Sequence, residues 1–155
     1  MKPRLVAILA ISSIALSACG YPRATSESAA ASAPSPTATS ISAVALLTKA
    51  QTTVLDQPLA YPTEQPAQLS SVVLTIPPGV STGWHHHDAP MYAYVQSGEV
   101  TVEYKDGPTK VYPAGSAIVE AIGTDHNGTN RGSVDAVLIV VNIGAEGVAN
   151  SVKVP

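Results

Sequence analysis

The chain has one cysteine, no phenylalanine and only eight lysines and arginines among its 155 residues. A single thiol excludes an internal disulfide, so nothing covalent staples the fold. Without phenylalanine, a core must be filled by Val, Ile, Leu and Ala. The basic residues are scattered, which argues against nucleic acid and against a polybasic membrane patch as partners. No segment keeps a helical period over three turns. There is no nucleophile–base pair, no phosphate-cradling loop and no internal repeat. The apolar run near the N-terminus is too short to span a bilayer as a helix.

That N-terminus nevertheless reads as a targeting segment. Lys2 and Arg4 precede an apolar run that begins at Leu5, and Leu16-Ser17-Ala18-Cys19 closes it. This arrangement resembles a bacterial lipoprotein signal. The resemblance implies that residues 1–19 are a signal peptide, that Cys19 is acylated, and that the mature chain is exported and lipid-anchored. In a host with two membranes the anchor is expected in the outer membrane, facing the periplasm. Loss of Lys2 and Arg4 leaves 6 basic against 11 acidic side chains, a mature charge near −5. Residues 20–42 are rich in Ala, Ser, Thr and Pro without hydrophobic period, and they read as a disordered tether.

From residue 43 the texture changes to short β-rich runs broken by Pro and Gly. Val44–Val54 fits either a strand or a short helix. Gln68–Ile76 sets Val72, Leu74 and Ile76 on one face. Met91–Gln96 leads through a tight turn at Ser97-Gly98 into Glu99–Tyr104, and Asp106-Gly107 supplies a hairpin turn. Lys110–Tyr112, Ser116–Glu120 and Val134–Ile143 follow. Val137–Val141 is continuously apolar, as a strand buried on both faces would be. Asn127-Gly128-Thr129 reads as a turn. Seven or eight such strands predict an all-β sandwich or barrel over residues 43–155.

The chemistry concentrates in Gly79–Gly98. In a strand, His85 and His87 share one face about 6.6 Å apart, while His86 points the other way and is expected to be exposed. Two imidazoles on one strand are half a metal site. The spacing Gly79-x5-His85-x-His87-x3-Met91-x6-Gly98 resembles the first motif of the cupin superfamily, and Gly115-x5-Ala121-Ile122-Gly123-x2-His126-x3-Asn130 resembles the second. The resemblance implies a jelly-roll β-barrel with His85, His87 and His126 as metal ligands. Glu stands in the family pattern where this chain has Met91, and Pro where it has Ala121.

Three imidazoles imply a divalent transition metal, namely Fe, Mn, Zn, Ni or Cu. Met91, at the position of the usual fourth ligand, has three readings: an apolar wall beside a working site, a soft ligand to copper, or the mark of a barrel that lost its metal. Glu120 is the one candidate catalytic residue. Either it faces the cavity as substitute carboxylate, support to a ligand or general base, or it is a solvent-facing charge at a strand end. If Met91 points inward, Tyr92 and Tyr94 point outward, to a surface or to an interface such as that of a homodimer. Trp84 gates the barrel mouth or simply packs. The resulting expectation is an exported, membrane-anchored cupin acting on a small molecule as a metal-dependent oxygenase or isomerase. The alternative is a non-catalytic cupin that binds a small ligand or a metal ion.

Overall fold

In the computed structural model, which describes residues 41–155, nine strands and no helix are present. The expected signal peptide, Cys19 and nearly all of the tether lie outside the described residues. The strands are β1 (Ala67–Ile76), β2 (His85–His86), β3 (Met91–Ser97), β4 (Glu99–Tyr104), β5 (Thr109–Pro113), β6 (Ala117–Val119), β7 (His126–Thr129), β8 (Ala136–Ala145) and β9 (Val152–Lys153). They form two antiparallel sheets, ordered β1-β8-β3-β6 and β5-β4-β7-β2-β9.

Alternation builds the space between the sheets. In β3, Met91, Ala93 and Val95 are buried while Tyr92 and Tyr94 face outward, half-buried. In β8, Ala136, Leu138 and Val140 take the inner face. Burying an aliphatic side chain of this size is worth about 1.5–3 kcal/mol. Among the described residues Tyr104 is the aromatic in the buried core cluster, with Tyr112 packed against it.

Asn130 ties the two sheets at one end. Fully buried, it donates through Nδ2 to the Ile76 carbonyl (2.8 Å) and the Val134 carbonyl (2.7 Å), and its Oδ1 accepts from the Gly132 N–H (2.9 Å). Its amide nitrogen joins the end of β1 to the approach to β8, and its Oδ1 holds the turn after β7.

Several sequence expectations change. Val44–Val54 is neither strand nor helix; it is a loop held by a bridge between Thr52 and Pro58 and by Lys110, whose Nζ donates to the Val54 carbonyl. Val137–Val141 is not buried on both faces. Ile139 is 36% exposed, because among the described residues no further strand layer covers the outer face of its sheet and the loop around Ala50, Leu59 and Tyr61 borders it only near Tyr92, Val119, Val141 and Ile143. Asn127-Gly128-Thr129 is strand rather than turn, paired with β4 through Val102–Gly128. The Ser97-Gly98 turn is a corner between sheets, since β3 and β4 pair in different ones. Gly98 takes φ +69° there.

Candidate metal centre

The third histidine of the site is brought in by strand pairing. His126 opens β7 and lies directly opposite His85 of β2 in the antiparallel register. His87, one residue past β2, is fixed by a parallel bridge to Ile122. The ring centroids stand 4.5 Å apart for His85–His126 and 5.1 Å for each of the other pairs. One nitrogen from each ring falls within 4.8 Å of the other two.

Hydrogen bonds then fix the tautomers. Each Nδ1 faces a backbone carbonyl, which can only accept: Gly83 for His85 (2.8 Å), Asn150 for His87 (2.6 Å) and Thr124 for His126 (2.8 Å). Every Nδ1 therefore carries the proton, and every Nε2 keeps its lone pair free, the usual preparation of metal-ligating imidazoles. Among the described residues, His87 Nε2 is the buried side-chain nitrogen or oxygen without a partner. An unmet acceptor at that depth costs about 1–3 kcal/mol, and a cation would satisfy it. The residues present thus fit a metal ion.

Burial favours the neutral rings. It lowers the pKa of His87 from its ordinary value and that of His126 to about 4. Hydrogen bonding to Asn150 and Thr124 opposes this, and repulsion among the three rings reinforces it. Such a histidine takes up its proton more readily in the unfolded chain, so stability falls as pH drops from about 6.5 towards 4. His126 accounts for on the order of 3 kcal/mol of that loss. Glu120 acts with the opposite sign: its pKa is raised, chiefly by burial, so its contribution is lost as pH rises. The melting temperature of metal-free protein is expected to fall between pH 6.5 and pH 4. It should fall more steeply in Glu120→Gln, which scanning calorimetry across that range would check.

Glu120 faces the cavity. It is 3% exposed and follows directly on β6; its N–H donates to the Met91 carbonyl at 2.8 Å, one step beyond the Tyr92–Val119 pair. Glu120 and Met91 are thus neighbours on adjacent strands, and both line the cavity that holds the three histidines. The solvent-facing reading of Glu120 is excluded. Its Oε1 accepts from the Tyr104 hydroxyl and from the Ala121 N–H, both at 2.7 Å. Tyr104 in turn meets the Tyr112 hydroxyl at 3.3 Å. Burial and the nearby Glu120 carboxyl push the Tyr104 pKa far up, so it holds its proton and donates.

Other candidates fall elsewhere. His86 is not freely exposed; its ring lies 3.1 Å from Asp125 and 3.4 Å from Asp88, on the opposite face from the centre. Trp84, 37% exposed, borders an outer groove with Lys105, Asp125 and Val154 and does not line the central cavity. Tyr104 was missed in the sequence, although alternation with Val100 and Val102 puts it on the inner face. The Asn150 carbonyl leaves no sequence signal, because any residue supplies one.

Two antiparallel sheets closed around an inward-facing triad of imidazoles define a jelly-roll barrel with an internal three-histidine centre. Residues 72–142 match the family model for a cupin domain. Similar solved structures include the DMSP lyase DddQ from Ruegeria pomeroyi (20% identity, 55% of this chain, 42% of that chain, TM-score 0.48). A Bacillus subtilis oxalate decarboxylase variant is also similar (20% identity, 56% and 24%, TM-score 0.49). So is an uncharacterized double-stranded β-helix protein from Klebsiella pneumoniae (21% identity, 59% and 90%, TM-score 0.47). The chain spans less than half the length of the first two. No curated protein matches it by sequence.

Proposed function

We propose that this chain is an exported, lipid-anchored cupin whose three-histidine centre binds a divalent transition metal and acts on a small molecule. The observation that carries the metal is the triad itself: three Nε2 lone pairs turned together, each Nδ1 spent on a carbonyl, and His87 Nε2 buried without a partner. His85, His87 and His126 would hold the ion. A dication on three neutral imidazoles keeps open positions and supplies Lewis acidity or access to oxygen chemistry.

The protein's own contribution centres on Glu120. Position 91 lacks the carboxylate of the cupin pattern, and Glu120 puts one on the neighbouring strand, inside the same cavity. Held by Tyr104 and the Ala121 N–H, it is a steadied proton acceptor for a molecule bound beside the histidines. Met91 supplies apolar wall, the reading its burial favours. Metal analysis of the purified full-length protein, with titration of the metal-free form by Zn(II), Mn(II) and Fe(II), tests the centre. One equivalent bound with micromolar or tighter affinity is expected. Absence of binding for all three would leave a non-catalytic ligand-binding barrel.

The anchor rests on Leu16-Ser17-Ala18-Cys19 after a basic and apolar leader. Acyl chains give membrane affinity of about 0.8 kcal/mol per buried CH₂. Cys19→Ser is expected to abolish incorporation of labelled palmitate and to accumulate precursor. Label retained by the variant would remove the anchor from this reading.

A further inference from the structure

The register of the two sheets sorts the cavity wall into rows. Across β1, β8 and β3, Ser70 stands opposite Asn142, and Asn142 opposite Met91. Glu120 continues that row on the far side of Met91. The next inward-facing row is Val72, Val140, Ala93 and Ile118, and the one after it contains Leu74, Leu138 and Val95. The second sheet repeats the order. Tyr104 lies opposite His126, and His126 opposite His85; two residues along, the pair is Val102 and Gly128. The hydrogen bond from Tyr104 to Glu120 joins the polar row of one sheet to the polar row of the other, so the two gradients run the same way. One end of the cavity therefore carries the three imidazoles, Glu120, Asn142, Asn150 and Ser151, and the rest of its wall, Thr82 apart, is hydrocarbon or glycine backbone.

Polar groups do not recur along that hydrocarbon end. Among the described residues no lysine or arginine lines the cavity. Thr82 does line it, but its hydroxyl is spent on the backbone, donating to the Gly83 carbonyl and accepting from the Gly128 N–H. The cavity volume is near 230 Å³. At roughly 30 Å³ per water-sized group, that admits on the order of ten non-hydrogen atoms.

From this polarity we infer that the site takes a small single-headed amphiphile: one polar, metal-ligating group at the histidine end and an unbranched or lightly branched hydrocarbon tail against Val72, Leu74, Val102 and Leu138. Dicarboxylates, phosphate esters with a second charged group, and polyols do not fit, because their second polar group would be buried without a partner. The inference rests on the metal reading above for the head and on the wall alone for the tail.

A homologous series of alkyl hydroxamates, from acetyl to decanoyl, tests it by calorimetric titration of zinc-loaded full-length protein in non-ionic detergent, with empty micelles as blank. Affinity is expected to rise about fourfold per methylene and to level off near six to eight carbons. A hydroxyl at the far end of the hexanoyl probe should weaken binding about tenfold. Leu138→Ala lengthens the apolar end and should move the plateau to longer chains; Val102→Ala serves the same purpose should Leu138→Ala not fold. A series flat from acetyl onwards would overturn the proposal, as would a plateau unmoved in a folded variant. If zinc does not bind, the metal reading fails separately. A series of n-alkanols on the same protein then decides the tail site, a rise with length upholding it and a flat series ending it.

Discussion

Replacing His126 with alanine is expected to lower the affinity for Zn(II) at least about a hundredfold, or ~2.7 kcal/mol. Loss of a group that merely orients a ligand commonly costs 10- to 100-fold, and loss of a ligand costs more. His126 is the one member of the triad that comes from outside the His85–His87 segment, and its removal leaves two imidazoles on one side of the ion. His86→Ala is the matched control. Its ring faces Asp88 and Asp125 away from the centre, so affinity should stay within about twofold. Competition against a chromophoric chelator at fixed pH reads both. Equal affinity in wild type and His126→Ala would show that the ion binds somewhere other than the triad.

The largest effect on folding is expected at Gly98. Its φ of +69° is a conformation that costs other residues about 1–2 kcal/mol. A methyl group there would also lie 2.5 Å from the Asp135 carbonyl oxygen and 2.9 Å from the Ala136 Cα, both backbone. Those atoms begin β8, whose register with β1 and β3 organises an entire sheet, and they cannot swing aside as a side chain would. Gly98→Ala should therefore destabilise by at least about 3 kcal/mol. Gly79 has a similar φ of +76° with no atom within 4 Å of the added methyl, so Gly79→Ala should cost only about 1 kcal/mol. Urea denaturation of both variants separates the two terms. Equal losses would show that the corner tolerates a side chain and that the close approach to β8 carries no weight.

Much of the fold is written locally. The alternation of Val72, Leu74 and Ile76 marks the inner face of β1, because a half-buried strand repeats every second residue. Asp106-Gly107 marks the β4–β5 hairpin for an equally local reason: Asp106 must take φ +56°. His85 and His87 share a face by the same period, and the resemblance of the second motif to the cupin pattern implies His126 beside them. Those facts needed no coordinates.

What tertiary structure decided is how far a strand's pairing extends, which faces are covered and which distant groups meet. Glu120 shares the inner face with Ile118 only because the pairing of β6 with β3 runs one residue past Val119, and nothing local in the sequence says that it does. Its burial depends on Tyr104 from β4 and on the continued pairing with Met91. Ile139 sits in an apolar run, yet it faces outward, because coverage of a sheet's second face is a property of the other layers and not of the strand. His86 gains one of its two carboxylate neighbours, Asp125, from far along the chain. Lastly, the proton on His87 Nδ1 is placed by the carbonyl of Asn150, a group every residue possesses. Only the path of the chain past residue 145 sets that carbonyl 2.6 Å from the ring, and no residue type in the sequence encodes it.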